Sequence, residues 1–138
     1  MKKLLIDTNI IIDLLAKREP FCNEAALLFT LADKNKIQLS VSSLTFANTN
    51  YILLQSKKPD EAKLILRKLK LIVQILSLDE KVVGLSLNDN DFKDFEDALQ
   101  YFSAIENEVD IIITRNLKDF QKAKLPVMTA AQFLKTIK

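Results

Sequence analysis

Asp110-Ile111-Ile112-Ile113-Thr114 is the stretch of this 138-residue chain that decides its fold. Three β-branched side chains in a row, with no polar residue between them, describe a strand covered on both faces. In a water-soluble domain that is a strand of a parallel sheet held between helices. Leu4-Leu5-Ile6, closed by Asp7-Thr8-Asn9, repeats the pattern near the N-terminus. Ile37, Leu39 and Val41 alternate with polar residues up to Ser42, and 71–76 and Val127-Met128 supply two further strand candidates. Between them lie helical patterns. One runs from Ile10 to Leu15, and a second opens at Pro20 and ends near Asn35. A third starts at Ser43 or Thr45 as cap, and a fourth starts at Pro59-Asp60-Glu61 with Ala62, Ile65, Leu66 and Leu69 on one face. Further helices are predicted over 79–87 and 91–106, the latter with Phe95, Ala98, Leu99, Phe102 and Ile105 as its apolar face. A helical turn follows over 117–120, and Thr129 caps a last helix. Strands alternating with helices predict one α/β domain over 1–138, a parallel sheet in a three-layer α/β/α sandwich rich in helix.

Composition narrows the chemistry. Apolar residues are 49% and charged residues 28% of the chain, the balance of a globular domain, and the net charge is only +2. A single Gly excludes the glycine-rich loops that cradle phosphates. The absence of His, together with a single Cys, excludes a soft zinc or copper site and every His-dependent triad. Cys22 has no internal disulfide partner, as in a reducing compartment. The apolar runs are far shorter than the ~20 residues of a membrane span, and Met1 to Ile12 is interrupted by Asp7 and Asn9, unlike a signal peptide. The chain is therefore expected to be cytoplasmic, with no membrane partner. Acid–base or metal chemistry here must rest on carboxylates.

The small net charge hides strong polarisation. Residues 89–110 hold eight acids against Lys93, a sum of −7. Residues 57–70 sum to +4 and residues 115–138 to +5. Carboxylates for a cation, flanked by Lys and Arg for a polyanion, suit a metal-dependent enzyme acting on phosphodiesters. In a parallel α/β sheet the strand C-terminal ends and the helix N-terminal ends share one edge, where ligands bind. Asp7 to Asn9, Ser43 to Asn48, Asp94 to Asp97 and Thr114 to Asp119 all fall on it. Carboxylates meeting there repel unless a cation neutralises them, and an all-oxygen set selects hard Mg²⁺ or Mn²⁺.

These residues carry a family resemblance over essentially the whole chain. Leu5-Ile6-Asp7-Thr8-Asn9 with Asp13 and Arg18-Glu19-Pro20-Phe21, then Ser42-Ser43-Leu44-Thr45, Asp94-Phe95-Glu96-Asp97-Ala98-Leu99 and Thr114-Arg115-Asn116-Leu117-Lys118-Asp119-Phe120, stand in an order that resembles the PIN domain of VapC-like toxin ribonucleases. The resemblance implies a Mg²⁺- or Mn²⁺-dependent endoribonuclease, the toxin of a type II toxin–antitoxin pair, forming a homodimer and inhibited by a small antitoxin protein. It implies Asp7, Asp97 and Asp119 as catalytic metal ligands assisted by Glu96, and Thr8, Asn9, Asn48, Thr114 and Asn116 as residues lining the site. RNA backbone contacts are expected from Arg115 and Lys118, with Lys122 and Lys124 beside them. One position departs from the pattern. Asn48 stands where many family members carry an acid, and an amide offers a metal an oxygen but no charge. The alternative reading is accordingly a PIN-like domain that binds RNA or a protein partner without cutting. Phosphotransfer domains of the response-regulator kind and haloacid-dehalogenase-like phosphatases fit less well, since Asn9 stands where the latter need a second aspartate.

Overall fold

The computed structural model describes residues 1–137; Lys138, the last residue of the basic C-terminal segment, lies outside them. The chain runs β1 (Lys2–Ile6), α1 (Thr8–Leu15), α2 (Cys22–Asp33), β2 (Ile37–Ser42), α3 (Ser43–Leu53), α4 (Pro59–Lys70), β3 (Val73–Leu76), α5 (Glu80–Asn88), α6 (Phe95–Glu106), β4 (Ile111–Ile113), a 3₁₀ turn (Leu117–Phe120), β5 (Val127–Met128) and α7 (Ala130–Lys135). The strands form a five-stranded sheet in the order β3-β2-β1-β4-β5, every pairing parallel. β1 is central, with its successors β2 and β3 on one side and β4 and β5 on the other. The switch in direction falls between β1 and β4, where Leu4, Leu5 and Ile6 pair with Ile111, Ile112 and Ile113.

Alternation along these two strands sorts the core into two layers. Leu4, Ile6, Ile111 and Ile113 point to one face and pack with Ile10, Ile11, Leu28, Phe29, Leu69 and Phe133 from α1, α2, α4 and α7. Leu5 and Ile112 point to the other face and meet Ala98, Tyr101 and Ala104 of α6, with Phe92 and Phe120. The uninterrupted Ile111–Ile113 run is thus explained by helices on both sides, as expected for a three-layer sandwich.

Three boundaries and one helix face differ from the sequence expectation, each for a local reason. The helix expected from Asp91 begins at Phe95, because Asp89 Oδ2 accepts from the N–H groups of Asp91 and Phe92 and folds them into a turn. Asp94 then caps α6, its Oδ1 accepting from the N–H groups of Glu96 (2.8 Å) and Asp97 (3.3 Å). The buried stripe of α6 is Ala98, Leu99, Tyr101 and Ala104, whereas Phe95 and Ile105 are exposed, so the helix is rotated from the expected face. β3 starts at Val73, since Leu71 and Ile72 form an exposed turn after α4. Ser43 and Thr45 are both inside α3 rather than at its cap, and Thr45 Oγ1 accepts a hydrogen bond from Thr8 Oγ1 (3.1 Å), tying α3 to α1.

A charged clamp fixes the end of β4. Asp13, on α1 and only 1% exposed, accepts two hydrogen bonds from Arg115, from Nε at 2.8 Å and from Nη2 at 3.1 Å. The guanidinium also lies over the Phe21 ring, 4.3 Å from its centroid. Asp13 has no other side-chain partner among the described residues, so removing the guanidinium leaves a buried charge uncompensated. Arg115→Ala is expected to lower unfolding free energy by about 3 kcal/mol, with a smaller loss for the double variant Asp13→Asn/Arg115→Ala, both read by urea denaturation.

Candidate active site

Asp7 sits at the C-terminal end of β1, beside Thr114 at the end of β4, joined by the Asp7 N–H to the Ile113 carbonyl at 3.0 Å. This is the topological switch point of the sheet, the crevice where open α/β folds bind ligands. The carboxylate is 8% exposed and accepts four hydrogen bonds. Oδ1 takes the N–H of Thr8 (2.6 Å) and Nε2 of Gln100 (3.2 Å). Oδ2 takes Oγ1 of Thr114 (2.8 Å) and Nδ2 of Asn9 (3.2 Å). Thr114 is a fully buried relay, since its Oγ1 also accepts from the Asn116 N–H at 3.0 Å and from Asn9 Nδ2 at 3.5 Å. Four donors of this kind offset the loss of hydration that a buried carboxylate suffers.

A polar cleft of about 240 Å³ opens over this cluster, lined by Asp7, Thr8, Asn9, Asn48, Glu96, Asp97, Asn116 and Asp119 together with Ser42, Leu44, Thr45, Asp94 and Gln100. Residues from four separate parts of the sequence meet there, and the expected acids are among them. The Asp94 cap aims the first turn of α6, with Glu96 and Asp97, into the cleft. Phe92 anchors the approach, its ring 4.8 Å from Tyr101 and 5.8 Å from Phe120. Phe120 in turn fixes the 3₁₀ turn that carries the exposed Asp119. Across the cleft, Asn48 Nδ2 donates to Glu96 Oε1 at 3.3 Å, so the amide that departs from the family pattern faces an acid on α6.

A second cleft of about 410 Å³ shares Asp94, Asp97 and Asp119 with the first and adds Lys93, Lys118 and Lys122. Of the expected basic contacts, Lys118 and Lys122 are therefore beside the acids. Arg115 borders a different cavity of about 330 Å³, and its fork is bonded to Asp13. Lys124 donates its backbone N–H to the Tyr101 hydroxyl and lines neither cleft among the described residues.

The acids are in electrostatic conflict. Burial, reinforced by the neighbouring charges of Asp94, Asp7, Asp119 and Glu96, pushes the Asp97 carboxyl up to about 7. Among the described residues no three carboxylates stand close enough to chelate a metal by themselves. Neutral oxygens accompany the acids: Asn9 Oδ1, Gln100 Oε1 and Ser42 Oγ belong to residues that line the cleft and are buried without a hydrogen-bond partner. Such orphaned acceptors each cost about 1–3 kcal/mol. An all-oxygen set of carboxylates and unpartnered neutral acceptors fits a hard divalent cation. Gln100 was missed in the sequence, where a glutamine between Leu99 and Tyr101 reads as an ordinary helix former. Its position three residues after Asp97, on the same side of a helix, was the available signal.

The family-model comparison matches the PIN domain over residues 3–118. The chain belongs to the PIN domain family. It is 30% identical over 139 aligned residues to "Ribonuclease VapC1" of Aquifex aeolicus (strain VF5), covering 96% of this chain and 93% of that one. Among solved structures it is similar to a toxin–antitoxin complex from Klebsiella pneumoniae, with a TM-score of 0.70 and 25% identity over 92% of this chain and 97% of that one. It is also similar to VapBC2 from Rickettsia felis bound to a promoter DNA fragment, with a TM-score of 0.68 and 19% identity over 91% and 96% of the two chains. The sheet order and flanking helices of this PIN domain are thus a shared fold. No helix among the described residues is long and apolar enough to cross a membrane.

The Asp97 shift has a defined sign. A carboxyl that titrates near 7 when folded and near 3.8 when unfolded binds more protons in the fold, so the metal-free protein loses stability as pH rises between those values. Solvent at this half-buried group reduces the effect to the order of 1–2 kcal/mol. In EDTA the wild-type melting temperature is expected to fall by several degrees from pH 5 to pH 8. Asp97→Asn should lie above it at pH 8 and converge with it near pH 4. Parallel curves for the two proteins would count against the conflict.

Proposed function

We propose that this PIN domain is an endoribonuclease that cuts RNA phosphodiesters with Mg²⁺ or Mn²⁺, the toxin of a toxin–antitoxin pair. The observation that carries the reading is the gathering of Asp7, Glu96, Asp97 and Asp119 around one polar cleft at the switch point of the sheet. Membership of the PIN family and similarity to a ribonuclease over nearly the full length of both chains support it.

Asp7, Asp97 and Asp119 would hold the cation together with neutral oxygens of the cleft or through its water shell, with Glu96 beside them. When bound, the cation supplies a water of lowered pKa and a positive charge facing the phosphate. The remaining work belongs to the chain. Thr8, Asn9 and Thr114 orient the Asp7 carboxylate through the bonds described, and Asp94 fixes Glu96 and Asp97 through their backbone N–H groups. Asn48 orients Glu96 from α3, and Asn116 lines the rim. The proton held by Asp97 near neutral pH must leave before that group binds a cation as an anion, so affinity rises with pH through about 7. Lys118 and Lys122, with Lys93, form a basic wall for the RNA backbone beside the acids. Arg115 holds the β4 end through Asp13.

The second reading, binding without cleavage, draws on Asn48 alone. The two are separated by incubating the protein with single-stranded and structured RNA in Mn²⁺ and in EDTA. Cleavage sensitive to EDTA is expected, abolished by Asp7→Asn and lowered ~10-fold or more by Glu96→Gln. RNA retention without any Mn²⁺-dependent cutting would establish the binding reading.

Partners follow from the same proposal. A small antitoxin protein and a homodimeric assembly are in keeping with the toxin–antitoxin complexes among the structural relatives. A short reading frame beside this one, whose product copurifies with the chain and suppresses cleavage, is the expected sign of the antitoxin. The basic wall makes a separate forecast. The double variant Lys118→Ala/Lys122→Ala should weaken RNA binding and flatten the log–log dependence on salt by about 1.4. Mn²⁺ affinity should not change.

A further inference from the structure

Gln100 is a buried polar side chain of the cleft that lies outside the stretches carrying the family resemblance. It is 6% exposed and lies on α6, one turn beyond Asp97. Its Nε2 donates to Asp7 Oδ1 at 3.2 Å. A carboxylate only accepts, so the amide nitrogen must face Asp7 and the amide oxygen must face elsewhere. That oxygen, Oε1, is buried with no partner. The arrangement satisfies Asp7 at the expense of Gln100.

The four bonds to Asp7 are not equally easy to release. The Thr8 N–H is part of the start of α1 and sits at 2.6 Å, and the Thr114 hydroxyl at 2.8 Å also takes the Asn116 N–H. Asn9 donates from one nitrogen, Nδ2, to Asp7 at 3.2 Å and to Thr114 at 3.5 Å, so two bonds hold that end of its amide. Gln100 makes one side-chain bond, to Asp7 Oδ1, and its terminal torsion is soft. A cation that approaches Oδ1 must displace a donor, and Gln100 is the donor freest to leave. No three acids chelate by themselves among the described residues, so a cation on Asp7 also needs neutral oxygen.

We propose that Gln100 is a positioning residue of the cation site: its amide holds Asp7 in the cation-free protein and turns over when a divalent cation takes Oδ1, bringing Oε1 to the cation or its water shell. One side chain then supplies a donor to the empty site and an acceptor to the filled one. The inference rests on the cation reading above and adds a residue to it.

The test is Mn²⁺ binding to the full chain, measured by water-proton relaxation. Gln100→Met, of similar length and without a polar atom at its end, is expected to bind Mn²⁺ about 10-fold more weakly than wild type. Gln100→Glu, which retains an oxygen and adds charge, is expected to bind at least as tightly as wild type. A side chain that merely packed α6 onto the sheet would leave both unchanged or weaken both alike, and either pattern overturns the proposal. A second readout needs no variant affinity. In a ¹³C,¹⁵N-labelled wild-type sample the Gln100 side-chain amide pair, assigned through bonds to its own backbone, should shift on adding Mg²⁺ while those of Gln38 and Gln132 stay in place. An unmoved Gln100 pair overturns the proposal even if Gln100→Met folds poorly. Wild-type protein that binds no Mn²⁺ overturns the cation reading and this inference together, whereas tight binding with equal affinity in Gln100→Met overturns this inference alone.

Discussion

The buried carboxylate of Asp7 is the constraint on which the rest of the molecule depends. A carboxyl group this deep is tolerated only with partners around it, and here the donors come from three places far apart in sequence: Thr8 and Asn9, Gln100, and Thr114. Meeting that requirement fixes the alignment of β1 with β4, because Thr114 reaches Asp7 only when Ile6 pairs with Ile113. It also fixes where α6 lies on the sheet, because Gln100 must come within reach of the same group. The hydrophobic layers supply most of the driving force, but they are non-directional. The bonds to Asp7 choose among the registers that burial alone would allow.

The same end of the sheet carries an unresolved conflict. Asp97, the next turn from Gln100, is kept protonated to about pH 7 by burial and by four neighbouring acids. A fold selected for stability alone would replace some of these groups, since each orphaned acceptor and each unpaired charge works against the native state. Structure elsewhere offsets the loss. Asp94 caps α6, the Phe92, Tyr101 and Phe120 rings lock the segments on either side of the acids, and the Asp13–Arg115 clamp secures the strand end. The rigid frame holds the acids where their mutual repulsion would otherwise part them, which is the condition for a site that a cation completes.

Local pattern made the sheet legible. Apolar runs at Leu4–Ile6 and Ile111–Ile113, each followed by polar residues, located the central strands and hence the shared edge where Asp7, Asp97 and Asp119 belong. What stayed hidden depends on partners distant in sequence. Asp13 and Arg115 are 102 residues apart, and alone each reads as a surface charge, so Arg115 was expected on RNA rather than on α1. Gln100 carries no charge and favours helices, so its spacing from Asp97 is the one local sign that separates it from an exposed glutamine. The true start of α6 was obscured because Asp89, Asp91 and Asp94 are all acceptable helix-start residues, and only the bonds they make distinguish turn from cap.

Asn48 shows how a departure from a family pattern reads once its surroundings are known. In the sequence it is a missing charge. In the fold its amide donates across the cleft to Glu96, so a carboxylate carried by α6 lies against position 48. A sixth acid, at position 48, would face Glu96 directly, in a cluster where burial and the existing charges already push the Asp97 carboxyl up to about 7. An amide there removes that repulsion and contributes a donor that orients the neighbouring acid. On the proposed reading, Asn48 holds Glu96 at the cleft without adding a further charge to a group of acids that already repel one another.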